Sequence, residues 1–215
     1  VQKVYDFIWD EFCDWYVETA KYRIYHKEEE KAAADCVLWV LKTVLKQALK
    51  LLHPFMPFIT EEIYSVLVPE EESLMMSEWP QFHAEWDFPA EENVMEHVKE
   101  ITRGIRNMRA EMNVPNNRKT KVYVVCEDTE ICDGISTLEN SIKPLMMAEK
   151  ILVQQTKENI ADNAVSVVVP DAVVYLPLED LVDFEQEMER LQKEEEKLKK
   201  EIKRAEGMLS NERFI

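Results

Sequence analysis

The stretch LLHPFMPFITEEIY, Leu51 to Tyr64, marks the clearest break between two helices in the chain. Pro54 disfavours helical backbone at His53, and Pro57 has no amide hydrogen to donate, so an apolar helix has to end at this point. Thr60 is a suitable N-cap, and the two glutamates after it suit the positive end of a helix dipole. The stretch therefore predicts a helical corner, with a second helix beginning at Thr60.

Apolar residues at helical spacing extend outward from this corner in both directions. They predict helices over residues 1–25, over a segment that opens at residue 32 or 35 and ends at 52, from 60 to before Pro69, and over 91–112. Residues 69–89 lack periodicity and predict an irregular strap, anchored to the bundle by its aromatic side chains. Those aromatics are Trp79, Phe82, Trp86 and Phe88.

The periodicity changes after Pro115. Residues 119–126 alternate as a strand does, 129–147 predict a helix, and 151–155 a second strand. Residues 165–169 and 173–178 predict a hairpin that turns at Pro170 and Asp171. This order predicts a small α/β subdomain of three or four strands covered by one helix, with its boundary near Val114.

The last element follows a heptad pattern from Leu181 to Leu209, interrupted only by Glu195 at a seam position. A single amphipathic helix cannot bury such a seam alone, so we expect it to need a partner. The predicted fold class is mainly α: a helical bundle over 1–114, a small α/β connector over 115–178 and a long heptad helix over 179–215.

Composition limits the function classes. The chain has 215 residues, 46% of them hydrophobic, and only three glycines, which favours helices. Its longest apolar runs are far short of a membrane span, and we expect a cytoplasmic location. Four scattered cysteines support neither a zinc site nor a disulfide framework, so reduced thiols are expected. We predict no metal ligand and no catalytic residue, since no phosphate loop or nucleophile turn occurs.

Charge is segregated along the chain. The net charge of −17 argues against indiscriminate binding to nucleic acid, including DNA. Residues 61–92 contain ten acidic residues and no Lys or Arg, whereas residues 99–121 contain seven basic residues and two acidic ones. Such segregation is what a nucleic-acid-binding face requires.

Several motifs in a consistent order carry a family resemblance. They are HPFMPFITEEIY at the helical corner, VYDFIWDEFCDWYVETAKYR (Val4 to Arg23), SLMMSEWPQ (Ser73 to Gln81), IRNMRAEMNVPNNRK (Ile105 to Lys119) and the closing NERFI. Together they resemble the valyl-tRNA synthetases, class I aminoacyl-tRNA synthetases. The resemblance implies that the chain is the C-terminal portion of such an enzyme. This portion would comprise an anticodon-binding helical bundle, a connector and the first helix of a truncated coiled-coil arm that binds tRNA.

The resemblance also implies what lies elsewhere in such an enzyme. The parent would attach valine to tRNA(Val) with ATP and Mg²⁺ in an upstream catalytic domain, and its catalytic and editing domains would be partners of these residues. The HIGH-like and KMSKS-like signatures are absent from this sequence. We therefore expect these residues to be catalytically inactive, without a cofactor of their own.

Two groups of residues are candidates for the anticodon side. Four basic residues from Lys99 to Arg109 are spaced by four, three and three residues, which predicts that they share one helix face beside an asparagine and could contact RNA. The alternative is that they form ion pairs with the acidic segment 61–92. On the opening helix, two cations suit backbone contacts, although most aromatics there are expected in the core. The candidates are Lys21, Arg23, Lys99, Arg103, Arg106, Asn107 and Arg109.

A third group lies opposite the heptad seam. Its cations form a basic stripe that, by the resemblance, would brace the tRNA elbow, although the same pattern is also that of a solvated coiled-coil surface. The candidates are Arg190, Lys193, Lys197, Lys200 and Arg204. Without a return strand, the seam is expected to pair non-natively with a neighbouring molecule or to fray.

Two alternatives stay open. An isoleucyl- or leucyl-tRNA synthetase is disfavoured by the heptad arm and, for the isoleucyl enzyme, by the missing cysteine-rich zinc module. A coiled-coil protein-interaction module with no role in RNA binding would dimerise through residues 181–209.

Overall fold

The computed structural model of the chain describes residues 1–181 and 195–203. These residues form two compact units. The helical unit comprises Val1–Thr102 and Thr129–Met146, and the sheet unit comprises Arg103–Asp128 and the chain from Met147 onward. The fold is mainly helical with a small four-stranded sheet, as predicted.

The opening segment is helical throughout, in three parts: α1 (Gln2–Asp6), a π-helix (Phe7–Val17) and α2 (Glu18–Tyr25). A π-helix has wider turns than an α-helix and shifts the side chains around the axis, so 3.6-residue spacing does not give its buried face. Phe12 and Trp15 are buried, while Trp9 is largely exposed.

The corner is built differently from the sequence prediction. Helix α3 covers Lys31–Leu52, and α4 (Pro57–Leu67) begins at Pro57 instead of at Thr60. The predicted N-cap is therefore wrong: proline is well suited to the first helical position, because its missing amide is not needed there. Thr60 lies buried inside the first turn, donates to Met56 O at 2.8 Å and is hydrogen-bonded to His53 Nδ1 at 2.8 Å.

The strap is anchored by ion pairs and one aliphatic side chain. Leu74, in a 3₁₀ turn (Leu74–Met76), is buried in a cluster with Leu49, Tyr64 and Val68. Lys46 pairs with Glu71, which also accepts a hydrogen bond from the Tyr64 hydroxyl. The prediction that the strap's aromatics anchor it holds in part: Trp86 contacts Trp39 of α3, but all four aromatic side chains are exposed.

Two further helices complete the helical part of the fold. Helix α5 (Pro89–Glu111) buries Val98, Ile101, Ile105 and Met108 and runs from the helical unit into the sheet unit. Helix α6 (Thr129–Ile142) lies in the helical unit, where it contacts α2.

The sheet has the strand order β2-β1-β4-β3. Its strands are β1 (Thr120–Cys126), β2 (Ala148–Gln154), β3 (Val165–Val169) and β4 (Ala172–Leu176). β1 pairs parallel with β2 and antiparallel with β4, and β3 and β4 form the predicted hairpin. Asp171, in the turn, has a φ of 56°.

The C-terminal part is described only in pieces. A short helix, α7 (Leu178–Leu181), follows the sheet, and residues 195–203 are helical. The long heptad helix stays a prediction, because residues 182–194 and 204–215 lie outside the described part of the chain. Among the described helices, none is long and apolar enough to cross a membrane.

The cysteines differ from the sequence expectation. Cys126 and Cys132 are disulfide-bonded, whereas Cys13 and Cys36 are free thiols. The expectation of reduced thiols is therefore wrong for Cys126 and Cys132, because the spacing of cysteines in the sequence does not decide which of them are oxidised.

Candidate nucleic-acid interface

The basic residues of α5 fall into a buried pair and an exposed pair. Lys99 is 5% exposed and Arg109 is 4% exposed, whereas Arg103 and Arg106 are on the surface together with Asn107. Lys99 lies in the helical unit and the other residues in the sheet unit, so different neighbours cover different sides of the same helix. The spacing alone predicted one continuous basic face.

Lys99 is held by two carboxylates within the helical unit. Its Nζ lies 2.5 Å from Glu11 Oε2 and 2.7 Å from Glu96 Oε1. Burial acts to lower the pKa of Lys99, but the hydrogen bonds that its ammonium group donates to Glu11 and Glu96 outweigh burial and raise the pKa above its ordinary value. The ammonium group therefore stays charged and joins the π-helix to α5. This structural role explains the presence of Lys99 without an RNA contact.

Arg109 fastens the loop that follows α5. Its Nη2 donates to Pro115 O at 3.0 Å and to Arg118 O at 2.7 Å. Burial lowers the pKa of Arg109. The helix ends in an αL residue, Asn113 (φ 53°), and Val114 N donates to Arg109 O at 2.9 Å, as in a Schellman motif. Both the side chain and the backbone of Arg109 therefore fix this loop.

The exposed residues Arg103, Arg106 and Asn107 form what we call the α5 face. They lie outward because Ile105 and Met108 point into the core. Gly104 permits the close packing: a Cβ atom there would lie 2.7 Å from Val167 Cγ1 of β3, so α5 approaches the sheet more closely than a side chain would allow.

The chemistry of the α5 face suits RNA. Each guanidinium presents five donors in a planar fork that matches a phosphate and also stacks on bases. The asparagine amide both donates and accepts, which base edges require. The α5 face therefore offers two guanidinium groups that can contact phosphates and one amide that can hydrogen-bond to a base edge.

Residues beyond α5 add to this polar surface within the sheet unit. Asn116, Asn117, Lys119 and Lys121 are exposed on the loop fixed by Arg109 and at the start of β1. Sequence reasoning did not name them as site residues, although their lysines are among the seven basic residues counted from 99 to 121. That count was the signal that could have identified them.

The candidates on the opening helical segment are partly engaged. Lys21 Nζ donates to Glu18 Oε1 at 2.6 Å, and this hydrogen bond raises the pKa of Lys21. Arg23 is half-buried and lines a cavity of about 680 Å³ together with Tyr16. Trp15 is buried and cannot serve as a stacking platform for a base.

The arm candidates are described in part. Lys197 and Lys200 are exposed on the helical residues 195–203. Arg190, Lys193 and Arg204 lie outside the described residues. The seam residues Leu198 and Ile202 are exposed, so the part of the heptad pattern that the structure describes is uncovered.

The histidines and the other potential metal ligands of the described ranges are dispersed. Within residues 1–181 and 195–203, no three His, Cys, Asp or Glu side chains are grouped to hold a metal ion. The four histidines make local hydrogen bonds, to Tyr22 O, Thr60 Oγ1, Glu85 Oε1 and Asn93 O.

Comparison with known proteins gives two findings. Residues 1–124 match the family model for the anticodon-binding domain of tRNA ligases. The chain is also similar, over its whole length, to the valine–tRNA ligases of Clostridium perfringens (46% identical over 215 residues) and Clostridium acetobutylicum (42% over 214). The valine–tRNA ligase of Bacillus subtilis is 37% identical over 215 residues, which is 99% of this chain. The resemblance predicted from the sequence is thus confirmed, and the chain spans about a quarter of the length of these relatives, 24% in each case.

Proposed function

Because this chain belongs to the family of anticodon-binding domains of tRNA ligases, we propose that it is the tRNA-binding part of a valine–tRNA ligase. The observation that carries the proposal is the α5 face, where two exposed arginines and an asparagine lie on one rigid helix. The similarity to valine–tRNA ligases over the whole chain supports valine tRNA as the ligand.

The contacts divide by chemistry. Arg103 and Arg106 bind phosphates next to the anticodon, and Asn107 contacts a base edge, since phosphate contacts set the register and base contacts give specificity. Lys119 and Lys121 extend the phosphate contacts. Because the net charge of the chain is −17, RNA is repelled elsewhere, and only segregated basic surfaces attract it.

Lys99 and Arg109 act indirectly in this proposal. Lys99 holds α5 to the π-helix, and Arg109 fixes the loop with Asn116 and Asn117. Lys21 and Arg23 are proposed as weaker backbone contacts, because Lys21 pairs with Glu18 and Arg23 is half-buried.

The remaining parts of the proposal follow the predicted division of the chain. Residues 1–114 are the anticodon-binding bundle, 115–178 the connector and 179–215 the first helix of a coiled-coil arm. In the arm, Arg190, Lys193, Lys197, Lys200 and Arg204 brace the tRNA. The exposure of Lys197 and Lys200 supports this role.

The chemistry of aminoacylation is proposed to lie elsewhere in the parent enzyme. Its catalytic domain would use ATP and Mg²⁺ to attach valine to tRNA(Val), and an editing domain would accompany it. These domains are proposed partners of the chain, and the cytoplasm is the proposed compartment.

A titration tests the proposal. Fluorescence anisotropy is measured with labelled valine tRNA and with the same tRNA carrying a changed anticodon, at 50 and 200 mM salt. The four phosphate contacts of Arg103, Arg106, Lys119 and Lys121 predict a loss of affinity of about 50- to 150-fold over this range. We expect tighter binding of the native anticodon at both salt concentrations.

One rival remains to be tested by the same titration. The exposed seam residues Leu198 and Ile202 favour a coiled-coil interaction module as the second candidate. Such a module would show neither anticodon discrimination nor a dependence on salt, and that result would refute tRNA binding.

A further inference from the structure

An apolar groove in the helical unit has no role in the RNA contacts described above. It lies between the opening helical segment, α3 and the strap, and has a volume of about 870 Å³. We call it the aromatic groove, since Phe7, Trp39, Phe82, Trp86 and Phe88 all line it.

The aromatic groove exposes unusually large side chains. Trp39 is 58% exposed and Phe82 is 86% exposed. Trp39 and Trp86 contact each other edge to face, with ring centroids 6.3 Å apart, so the groove wall is ordered although it is uncovered. Contiguous apolar surface of this kind marks a surface that another element covers.

The length and the walls of the groove suit a helix as the element that covers it. The lining residues of α3 extend from Trp39 to Leu51, and the first and last of these thirteen helical residues lie about 18 Å apart along the axis, or roughly three turns. Two of the groove walls are helices, whose backbone groups are already bonded internally, so they offer no edge to a strand. A helix satisfies its own backbone and needs only an apolar stripe.

A buried polar atom in the groove gives a second, independent indication. Gln47 lines the groove, and its Oε1 is buried without a hydrogen-bond partner among the described residues. A buried acceptor that is left unsatisfied destabilises the fold, because it has lost its hydrogen bonds to water. The missing donor would come from the side chain of the element that covers the groove.

The position of the groove indicates where that helix comes from. Lys3 and Val4, in the first turn of the chain, line one end of the groove. A segment joined directly to Val1 would therefore reach the groove with a short connection and a high effective concentration. The chain spans only 24% of the valine–tRNA ligases that it resembles, so most of such a polypeptide lies outside these residues.

We propose that the aromatic groove receives an amphipathic helix of the parent ligase, joined to the chain ahead of Val1. The helix presents an apolar stripe of about three turns to Trp39 and Phe82 and donates one side-chain hydrogen bond to Gln47 Oε1. The proposal rests on the parentage given under the proposed function.

Photo-crosslinking in the full-length ligase tests the proposal. The photoreactive residue p-benzoylphenylalanine replaces Gln47 in one variant and the exposed Ser65 in a matched control, and captured peptides are identified by mass spectrometry. We expect Gln47→p-benzoylphenylalanine to capture peptides of the same molecule that precede Val1, at positions three or four residues apart. The Ser65 control should not capture that helix.

Hydroxyl-radical labelling of the unaltered protein provides a second readout that needs no substitution. Trp39 should react at least about fivefold more slowly in the full-length ligase than in the 215-residue chain, as its exposed fraction falls from 58% toward that of a core side chain. Equal labelling, protection that needs a second copy or RNA, or capture of a segment after Ile215 would overturn the proposal.

The tRNA titration separates the two proposals. If the titration shows no anticodon discrimination but Trp39 is protected in the full-length ligase, the proposed function is refuted and the docked helix is supported. If the titration shows anticodon discrimination but Trp39 is not protected, only the docked helix is refuted.

Discussion

Replacing Arg106 and Arg109 separately by alanine distinguishes an RNA contact from a structural one on the same helix. Arg106 is exposed, so Arg106→Ala should change the free energy of unfolding by no more than about 0.5 kcal/mol. Loss of one charge-assisted phosphate contact at the surface, about 1 kcal/mol, should weaken tRNA binding about fivefold.

Arg109→Ala should instead lower the stability of the protein more than its affinity for tRNA. Arg109 is 4% exposed and its guanidinium donates to two loop carbonyls, so its removal takes a donor from each of these part-buried acceptors and creates a cavity. We expect a loss of about 3 kcal/mol, or roughly 6–12 °C in Tm for a chain of this size. The affinity of the folded fraction for tRNA should fall less than in Arg106→Ala, because Arg109 acts only through the loop that it fixes.

The assay combines thermal unfolding by circular dichroism with anisotropy titration below the Tm of both variants. The reasoning would be refuted by a destabilised Arg106→Ala variant. It would equally be refuted by an Arg109→Ala variant of normal Tm that binds tRNA weakly.

Two further predictions concern the packing of α5 on the sheet and the ion pair that anchors the strap. Gly104→Ala should cost about 1–3 kcal/mol, because the new Cβ would lie 2.7 Å from the stiff Val167 side chain, and adding Val167→Ala should recover part of the lost Tm; equal Tm values for the single and double variants would contradict this. Hydrogen bonds from Lys46 and Tyr64 hold the pKa of Glu71 below its ordinary value, so their stabilisation is present above that value and is lost as pH falls through the folded pKa. Glu71→Gln should therefore lose about 1 kcal/mol at neutral pH and show a flatter acid limb in Tm against pH, and an unchanged acid limb would exclude this group.

Periodicity predicted the helices and strands well, because one buried face imposes a spacing that can be read from the sequence. The strands from Thr120 to Leu176 and the helix α5 lie close to their predicted positions. The start of α4 was wrong, since Thr60 as an N-cap and Pro57 as the first helical residue are both favourable locally. Tertiary packing buries Thr60 against His53 and so decides between them.

The candidate site was only partly predictable for a related reason. Spacing places Lys99, Arg103, Arg106 and Arg109 on related faces of a helix, but it does not report what packs beside each turn. Lys99 meets Glu11, which lies 88 residues away in the sequence, and Arg109 meets carbonyls of a loop. The sequence alternative was pairing with residues 61–92, and neither Glu11 nor Glu96 belongs to that segment.

The slope of log affinity against log salt concentration tests the central claim most directly. It is measured for valine tRNA with the unaltered chain and with Arg103→Ala/Arg106→Ala. If these arginines bind two phosphates, the slope should decrease in magnitude by about 1.4–1.8 in the double variant. An identical slope in both proteins would contradict RNA binding by the α5 face.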